Sequence, residues 1–337
     1  MTEHSCARAA VFSAGSWGTA VAKILADAGT AVIMHARRVE IADGINTTHR
    51  NLGYFPDMGL PETLTATTDP VAALEDADFL VLSIPAQSLR ASLAVWAPHI
   101  GRDTVIVSLM KGIERDTNLR ASEVITEVAG IPARRVAVLS GPNLAREVMA
   151  EQPTAATIAC SDEAAAIRFQ RACHTSYFRP YTSTDVAGCE LGGALKNVIA
   201  LAVGISVGMG LGQNAQAMLI TRGLAETTRL ATAMGAQPAT LAGLAGLGDL
   251  VATCSSPLSR NRTFGTYLGQ GLSVEEATVA TRQTTEGVKS AQALLGLAHA
   301  HGTDMPITDV ITALLNGTVT LEQATAALMQ RPPKPER

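Results

Sequence analysis

The chain predicts an α/β fold with two unlike halves: an N-terminal doubly wound, Rossmann-type parallel sheet domain and an all-helical C-terminal domain. Two observations carry this. In the first half, continuous apolar runs at residues 10–12, 31–34, 79–84, 104–107 and 136–139 alternate with helical patterns at 17–28, 89–97 and 119–129. Strands that lack polar alternation are those covered on both faces, as in a parallel sheet flanked by helices. Beyond about Asp185 such runs stop, and Ala/Leu/Met-rich helical patterns follow near 187–208, 214–234, 273–279, 286–301 and 320–329. The boundary is expected near residue 190, giving a sheet domain of 1–189, a helical domain of 190–330 and a Pro-rich, disordered tail of 331–337.

Composition narrows the class. With 47% hydrophobic and 17% charged residues over 337 positions, the chain has the material for a soluble globule of one large or two ordinary domains. A net charge of −4, with no Lys/Arg run longer than a pair, gives no footprint for nucleic acid. Cys6, Cys160, Cys173, Cys189 and Cys254 are widely spaced and form no Cys-x-x-Cys, which suggests neither disulfides nor zinc. His299 and His301 are two apart in a helical pattern and point to different faces, so no metal is expected. The N-terminus, with Glu3, lacks a signal-peptide pattern, and a reducing, cytoplasmic location fits best. The uncharged stretch 197–221 has a continuous apolar portion of 15 residues, 198–212, which reads as a buried core helix rather than a membrane span.

After the first strand comes Ser13-Ala14-Gly15-Ser16-Trp17-Gly18, where a dinucleotide-binding fold carries Gly-x-Gly-x-x-Gly. Gly15 lets a pyrophosphate approach the backbone, Gly18 allows close helix–strand packing, and a helix opening near Trp17 aims its amides at the phosphates. The first fingerprint glycine is replaced by Ser13, at a cost on the order of 1–2 kcal/mol if the turn forces positive φ. Past the second strand stands His35-Ala36-Arg37-Arg38 instead of the acidic residue that holds an NAD ribose. Two readings stand: paired guanidinium groups for a 2′-phosphate, hence NADP, or solvated residues opening the next helix.

Lys196 is the only charge between Glu190 and Arg222. Burial in such an apolar helix lowers a lysine's pKa toward the range where it accepts a proton, which marks a catalytic candidate; the alternative is a lysine snorkelling to water.

Several motifs then occur in one order: Gly15-Ser-Trp-Gly-Thr-Ala, Lys111-Gly-Ile-Glu, Ser140-Gly-Pro, Glu190-Leu-Gly-Gly-Ala-Leu-Lys-Asn, Thr221-Arg-Gly-Leu-Ala-Glu, Gly246-Leu-Gly-Asp-Leu, Leu258-Ser-Arg-Asn-Arg and Glu286-Gly-Val. Together they resemble the bacterial NAD(P)-dependent glycerol-3-phosphate dehydrogenases over nearly the whole chain. The resemblance implies an oxidoreductase that passes hydride between NADP or NAD and dihydroxyacetone phosphate, giving sn-glycerol 3-phosphate for phospholipid synthesis; the other readings are a related two-domain dehydrogenase of another hydroxy acid or sugar acid, and a non-catalytic dinucleotide-binding relative. It further implies a small phosphorylated triose as partner and a homodimer.

By position, the resemblance makes Lys196 the proton acceptor and donor, Lys111 a contact of both cofactor and substrate, and Asp249 a substrate-binding group that orients Lys196. An N-cap is the other reading of Asp249. Ser259, Arg260 and Asn261 would grip the substrate phosphate, with Gly141 and Asn143 as further substrate contacts. Gly15, Ser16, Trp17, Gly18, Arg37, Arg38, Ala145, Arg260 and Glu286 would line the cofactor, though Glu286 could equally cap the helix that follows, while Arg262 is read as a surface charge. Departures from the family pattern are Ser13, Asn143, Val207 and Gln213.

Overall fold

The computed structural model describes residues 6–281 and 286–329, so Glu3 and the tail 331–337, expected to be disordered, lie outside the described residues. Strands β1 (Arg8–Phe12), β2 (Ala31–His35), β3 (Thr65–Thr67), β4 (Phe79–Leu82), β5 (Val105–Ser108), β6 (Val136–Ser140), β7 (Thr154–Cys160) and β8 (Phe178–Ser183) form an eight-stranded sheet. Their order is β3-β2-β1-β4-β5-β6-β7-β8, parallel throughout except for the antiparallel pair β6 and β7.

Side chains of the central strands alternate between two apolar layers. Val11, Val81 and Val107 pack with Val21, Ile24 and Leu25 of the helix Ser16–Asp27. Phe12, Leu80, Leu82 and Ile106 face the other way, onto Leu89 and Leu93 of Leu89–Trp96 and Val124 and Ile125 of Ala121–Ala129. Both faces are therefore buried, which is why these strands read as unbroken apolar runs. Each such side chain contributes roughly 1.5–3 kcal/mol relative to exposure.

Three strands escaped the sequence pattern for identifiable reasons. β3 is three residues long, β7 is Ala-rich, and β8 carries Pro180, which a sheet tolerates at its edge.

The chain leaves the sheet after Ser183 and enters a central helix, Val186–Gly208, whose N-terminus is capped by Asp185 accepting from the Gly188 amide at 2.9 Å. Residues 188–206 of this helix are all buried. It is the one helix among the described residues long and apolar enough to cross a membrane, and 89% of that window is buried in the protein.

Glycines set its closest crossing. A Cβ added at Gly204 or Gly208 would lie 2.1 Å from the carbonyls of Arg262 or Thr266, and one at Gly265 or Gly269 would lie 2.2 Å from those of Leu201 or Ile205. The helix Arg260–Gly269 thus runs backbone to backbone against the central helix, with its first turn tied through Asn261 and Asn197 to the loop that follows β5.

The helices Gln213–Ala233, Val274–Thr281, Glu286–Ala300 and Leu321–Met329 fall where the pattern put them. Pro238–Ala242, Asp249–Ser255, Arg260–Gly269 and Pro306–Leu315 were not foreseen, the first three because they are short or rich in Gly, Ser, Thr and Asn. Tertiary contacts support them: Glu226, for example, accepts from the Ile307 amide at 2.7 Å and so caps Pro306–Leu315 from another helix.

Candidate active site

The order of strands reverses at β1, which has β2 on one side and β4 on the other. Open α/β sheets bind ligands outside the carboxyl ends of their strands at such a point. The loops that emerge there are Ser13–Gly15 from β1, Leu109–Lys111 from β5 and Gly141–Leu144 from β6.

At the first loop, Gly15 is the N-cap of the helix Ser16–Asp27, and no side chain caps that helix. The amides of its first turn are left to serve an anion. A Cβ at Gly15 would meet only the Ser13 hydroxyl within 4 Å, at 3.1 Å, whereas one at Gly18 would lie 2.2 Å from the Ser13 carbonyl oxygen. Gly15 therefore leaves a seat open, and Gly18 permits contact between helix and loop. Ser13 has φ +128°, a conformation that favours glycine.

Asn51, fully buried, fixes this loop from behind: its Nδ2 donates to the Ala14 carbonyl and to the Thr19 hydroxyl, both at 2.8 Å. The sequence offered no signal for Asn51, which lies in an irregular polar segment. Trp17 and Ala145 pack with Ala14 against the apolar layer, and the Trp17 indole N–H is buried without a partner. Arg37 and Arg38 follow β2 and are exposed, and their side chains make no hydrogen bond or ion pair among the described residues.

The second cluster forms where the central helix meets the sheet. Gly193 lets it lie against Ser140 and Lys111, since a Cβ there would be 3.1 Å from the serine hydroxyl, and Gly192 abuts the Ala245 carbonyl of a π-helical turn, Leu244–Gly248. That turn delivers Asp249 as the first residue of Asp249–Ser255. Asp249 is 1% exposed and caps nothing: one carboxylate oxygen accepts from Lys111 Nζ at 2.7 Å and the other from Lys196 Nζ. Lys111 Nζ also donates to the Gly141 carbonyl at 3.1 Å.

Lys196 is 7% exposed, so it does not snorkel. Burial drives its pKa down to about 7; Asp249 opposes the shift and Lys111 reinforces it. The amine is thus poised to exchange a proton near neutral pH.

Asparagines lock the surrounding elements. Asn197 donates to the Lys111 carbonyl at 3.1 Å and accepts from Asn261 at 2.9 Å, and Asn261 in turn accepts from the Gly287 amide at 3.0 Å. Asn197 was visible as a second polar residue in the apolar helix. The Ser259 hydroxyl accepts from the Arg262 amide at 3.3 Å and is occupied as an N-cap. Arg260 projects outward from the first turn beside it, in electrostatic contact with Glu286.

Arg262 is not a plain surface charge. It is half-buried, and its Nε is shielded from water without a partner.

Four further polar atoms around the cleft are buried and unpartnered: Ser140 Oγ, both side-chain polar atoms of Asn143, and Glu286 Oε2. Burial raises the pKa of Glu286. Gly141, at φ +152°, lies so close to β7 that a Cβ there would be 2.9 Å from the Ala156 Cα, and its carbonyl accepts from Lys111. Buried polar atoms without partners are costly unless a ligand completes them.

The site therefore combines an anion-accepting glycine loop with a Lys–Asp–Lys cluster in which Asp249 and Lys196 are buried and Lys111 is part-buried. A family model of the NAD-dependent glycerol-3-phosphate dehydrogenase N-terminus matches residues 8–166, and one of the C-terminus matches residues 185–326. The chain belongs to the NAD-dependent glycerol-3-phosphate dehydrogenase family. Relatives in this family include a glycerol-3-phosphate dehydrogenase (NAD(P)+) of Streptomyces griseus, 60% identical over 98% of both chains. One from Thermobifida fusca is 58% identical over 98% of both. The crystal structure of a glycerol-3-phosphate dehydrogenase from Coxiella burnetii superposes with a TM-score of 0.91 at 38% identity, covering 97% of this chain and 99% of that one. The dehydrogenase family thus accounts for both halves of the chain, sheet and helices alike.

Proposed function

We propose that the protein is an NAD(P)-dependent glycerol-3-phosphate dehydrogenase in which Lys196 transfers the proton. The observation that carries this reading is the Lys196–Asp249–Lys111 cluster, in a chain whose residues 8–166 and 185–326 match the family.

The residues present suit a dinucleotide. Gly15 leaves the seat a pyrophosphate needs, the first-turn amides of Ser16–Asp27 are uncapped, and Trp17, Asn143 and Glu286 hold polar atoms without partners. Gly15, Ser16, Trp17 and Gly18 would hold the pyrophosphate, Ala145 and Glu286 the nicotinamide side, and Arg37 and Arg38 a 2′-phosphate. When bound, the nicotinamide gives hydride to the carbonyl carbon of dihydroxyacetone phosphate or takes it from the alcohol of sn-glycerol 3-phosphate.

The chain supplies the rest. As hydride arrives at carbon, the Lys196 ammonium gives its proton to the oxygen, and neutral Lys196 takes that proton back in the reverse direction. Asp249 aligns the amine, while Lys111 disfavours its charged form and polarises the oxygen. Gly141 and Asn143 contact the triose, and Arg260 with Asn261 binds its phosphate as the fork of a guanidinium permits. Ser259 contributes by fixing the turn that presents them.

A division into a dinucleotide-binding domain of 1–189 and a catalytic domain of 190–330 belongs to this proposal, as do a cytoplasmic location, a role in supplying phospholipid synthesis, and a homodimer. The exposed apolar side chains Leu211, Met218 and Leu258 of the helical half support the dimer, and light scattering at twice the 35.0 kDa chain mass would establish it.

The test is a spectrophotometric assay of NADPH or NADH oxidation with dihydroxyacetone phosphate. Turnover is expected with this substrate and not with the keto acids that a hydroxy-acid or sugar-acid dehydrogenase would reduce; no oxidation of either cofactor would refute the reading.

A further inference from the structure

The substitution at Ser13 is the feature that the family reading leaves unexplained. Its φ of +128° strains a serine, and backbone strain of this kind is found where a functional site makes use of it. That side chain borders the seat proposed for the cofactor. The second fingerprint glycine is glycine because the pyrophosphate comes close to the place its Cβ would fill. At Gly15 the one atom within 4 Å of that place, beyond the adjoining residues, is Ser13 Oγ, at 3.1 Å.

The hydroxyl accepts from the Gly15 amide at 3.1 Å, and its own hydrogen is committed to no acceptor among the described residues. An amide that would otherwise face the anion thus feeds a hydroxyl that can donate onward to it. Asn51, gripping the Ala14 carbonyl at 2.8 Å, keeps the loop from turning this donor away.

We infer that Ser13 Oγ is a direct hydrogen-bond donor to the dinucleotide pyrophosphate, added to the helix amides at the price of a strained backbone. The inference rests on the proposed cofactor site.

Two variants test it by calorimetric titration with NADPH and with ADP-ribose, which keeps the pyrophosphate and lacks the nicotinamide, alongside thermal melting of the ligand-free protein. Ser13→Gly relieves the strain and removes the hydroxyl. It should melt higher than the wild type yet bind both ligands about tenfold more weakly, the loss expected for one hydrogen bond to a charged group. Ser13→Ala keeps the strain and should lose the same affinity without the gain in melting temperature. The Michaelis constant for dihydroxyacetone phosphate at saturating NADPH should not move in either variant.

Affinity unchanged or tighter in Ser13→Gly would overturn the inference, as would a loss confined to Ser13→Ala, since strain alone would then explain it. A wild type that binds neither ligand would instead sink the cofactor reading itself.

Discussion

Asp249, 1% exposed, pairs with Lys196 through one carboxylate oxygen while its other oxygen holds Lys111 at 2.7 Å. One buried anion thus serves two cations, and removing its charge leaves both without compensation. Lys196 then sheds its proton more easily, because Asp249 is what resists the effect of burial. Asp249→Asn is expected to lower kcat within the roughly 10²–10⁴-fold that positioned proton transfer supplies, with NADPH affinity nearly unchanged. Steady-state kinetics and a binding titration on the same preparation check this.

The pH dependence follows with opposite signs in the two directions. Lys196 has its pKa lowered to about 7. Oxidation of the alcohol needs the neutral amine, so its rate should rise as pH increases through about 7. Reduction of the carbonyl needs the ammonium and should fall over the same interval. In Asp249→Asn both limbs should move to lower pH, and profiles of kcat/KM that stayed in place would argue against the pairing as the tuning device.

Cofactor choice is tested at the exposed pair Arg37 and Arg38, whose side chains make no hydrogen bond or ion pair among the described residues. Replacing both with alanine should raise the Michaelis constant for NADPH roughly 10-fold or more and that for NADH little, since each hydrogen bond to a charged phosphate contributes about 1.5–3 kcal/mol. Equal effects on the two would return these residues to a solvated role.

The glycine crossing gives a prediction about stability. Gly265→Val places side-chain atoms where a Cβ alone would be 2.2 Å from the Leu201 carbonyl. Overpacking typically costs about 1–3 kcal/mol, so the variant should melt earlier. It should also raise the Michaelis constant for the triose, because the same helix presents Arg260 and Asn261.

The legible and the hidden parts of this molecule separate by the range of the forces involved. Strands such as Phe79–Leu82 announce themselves because burial on both faces demands unbroken apolar runs. Lys196 announced itself as a lone charge in an apolar helix. Arg260–Gly269 and Asp249–Ser255 did not, because glycine and polar residues make poor helices until the central helix packs against them. Asn51 was invisible for a related reason: its partners Ala14 and Thr19 lie far off in sequence, and nothing local marks the contact. Arg262 reads as exposed in a polar stretch, yet the close crossing at Gly204 half-buries it.

The claim at the centre is that Lys196 moves the proton. Its most direct measurement is turnover of NADPH with dihydroxyacetone phosphate by Lys196→Ala, with NADPH binding and thermal melting followed in the same sample. The account predicts a folded protein that binds NADPH as the wild type does and oxidises it at least about 10²-fold more slowly. Turnover near that of the wild type would contradict it.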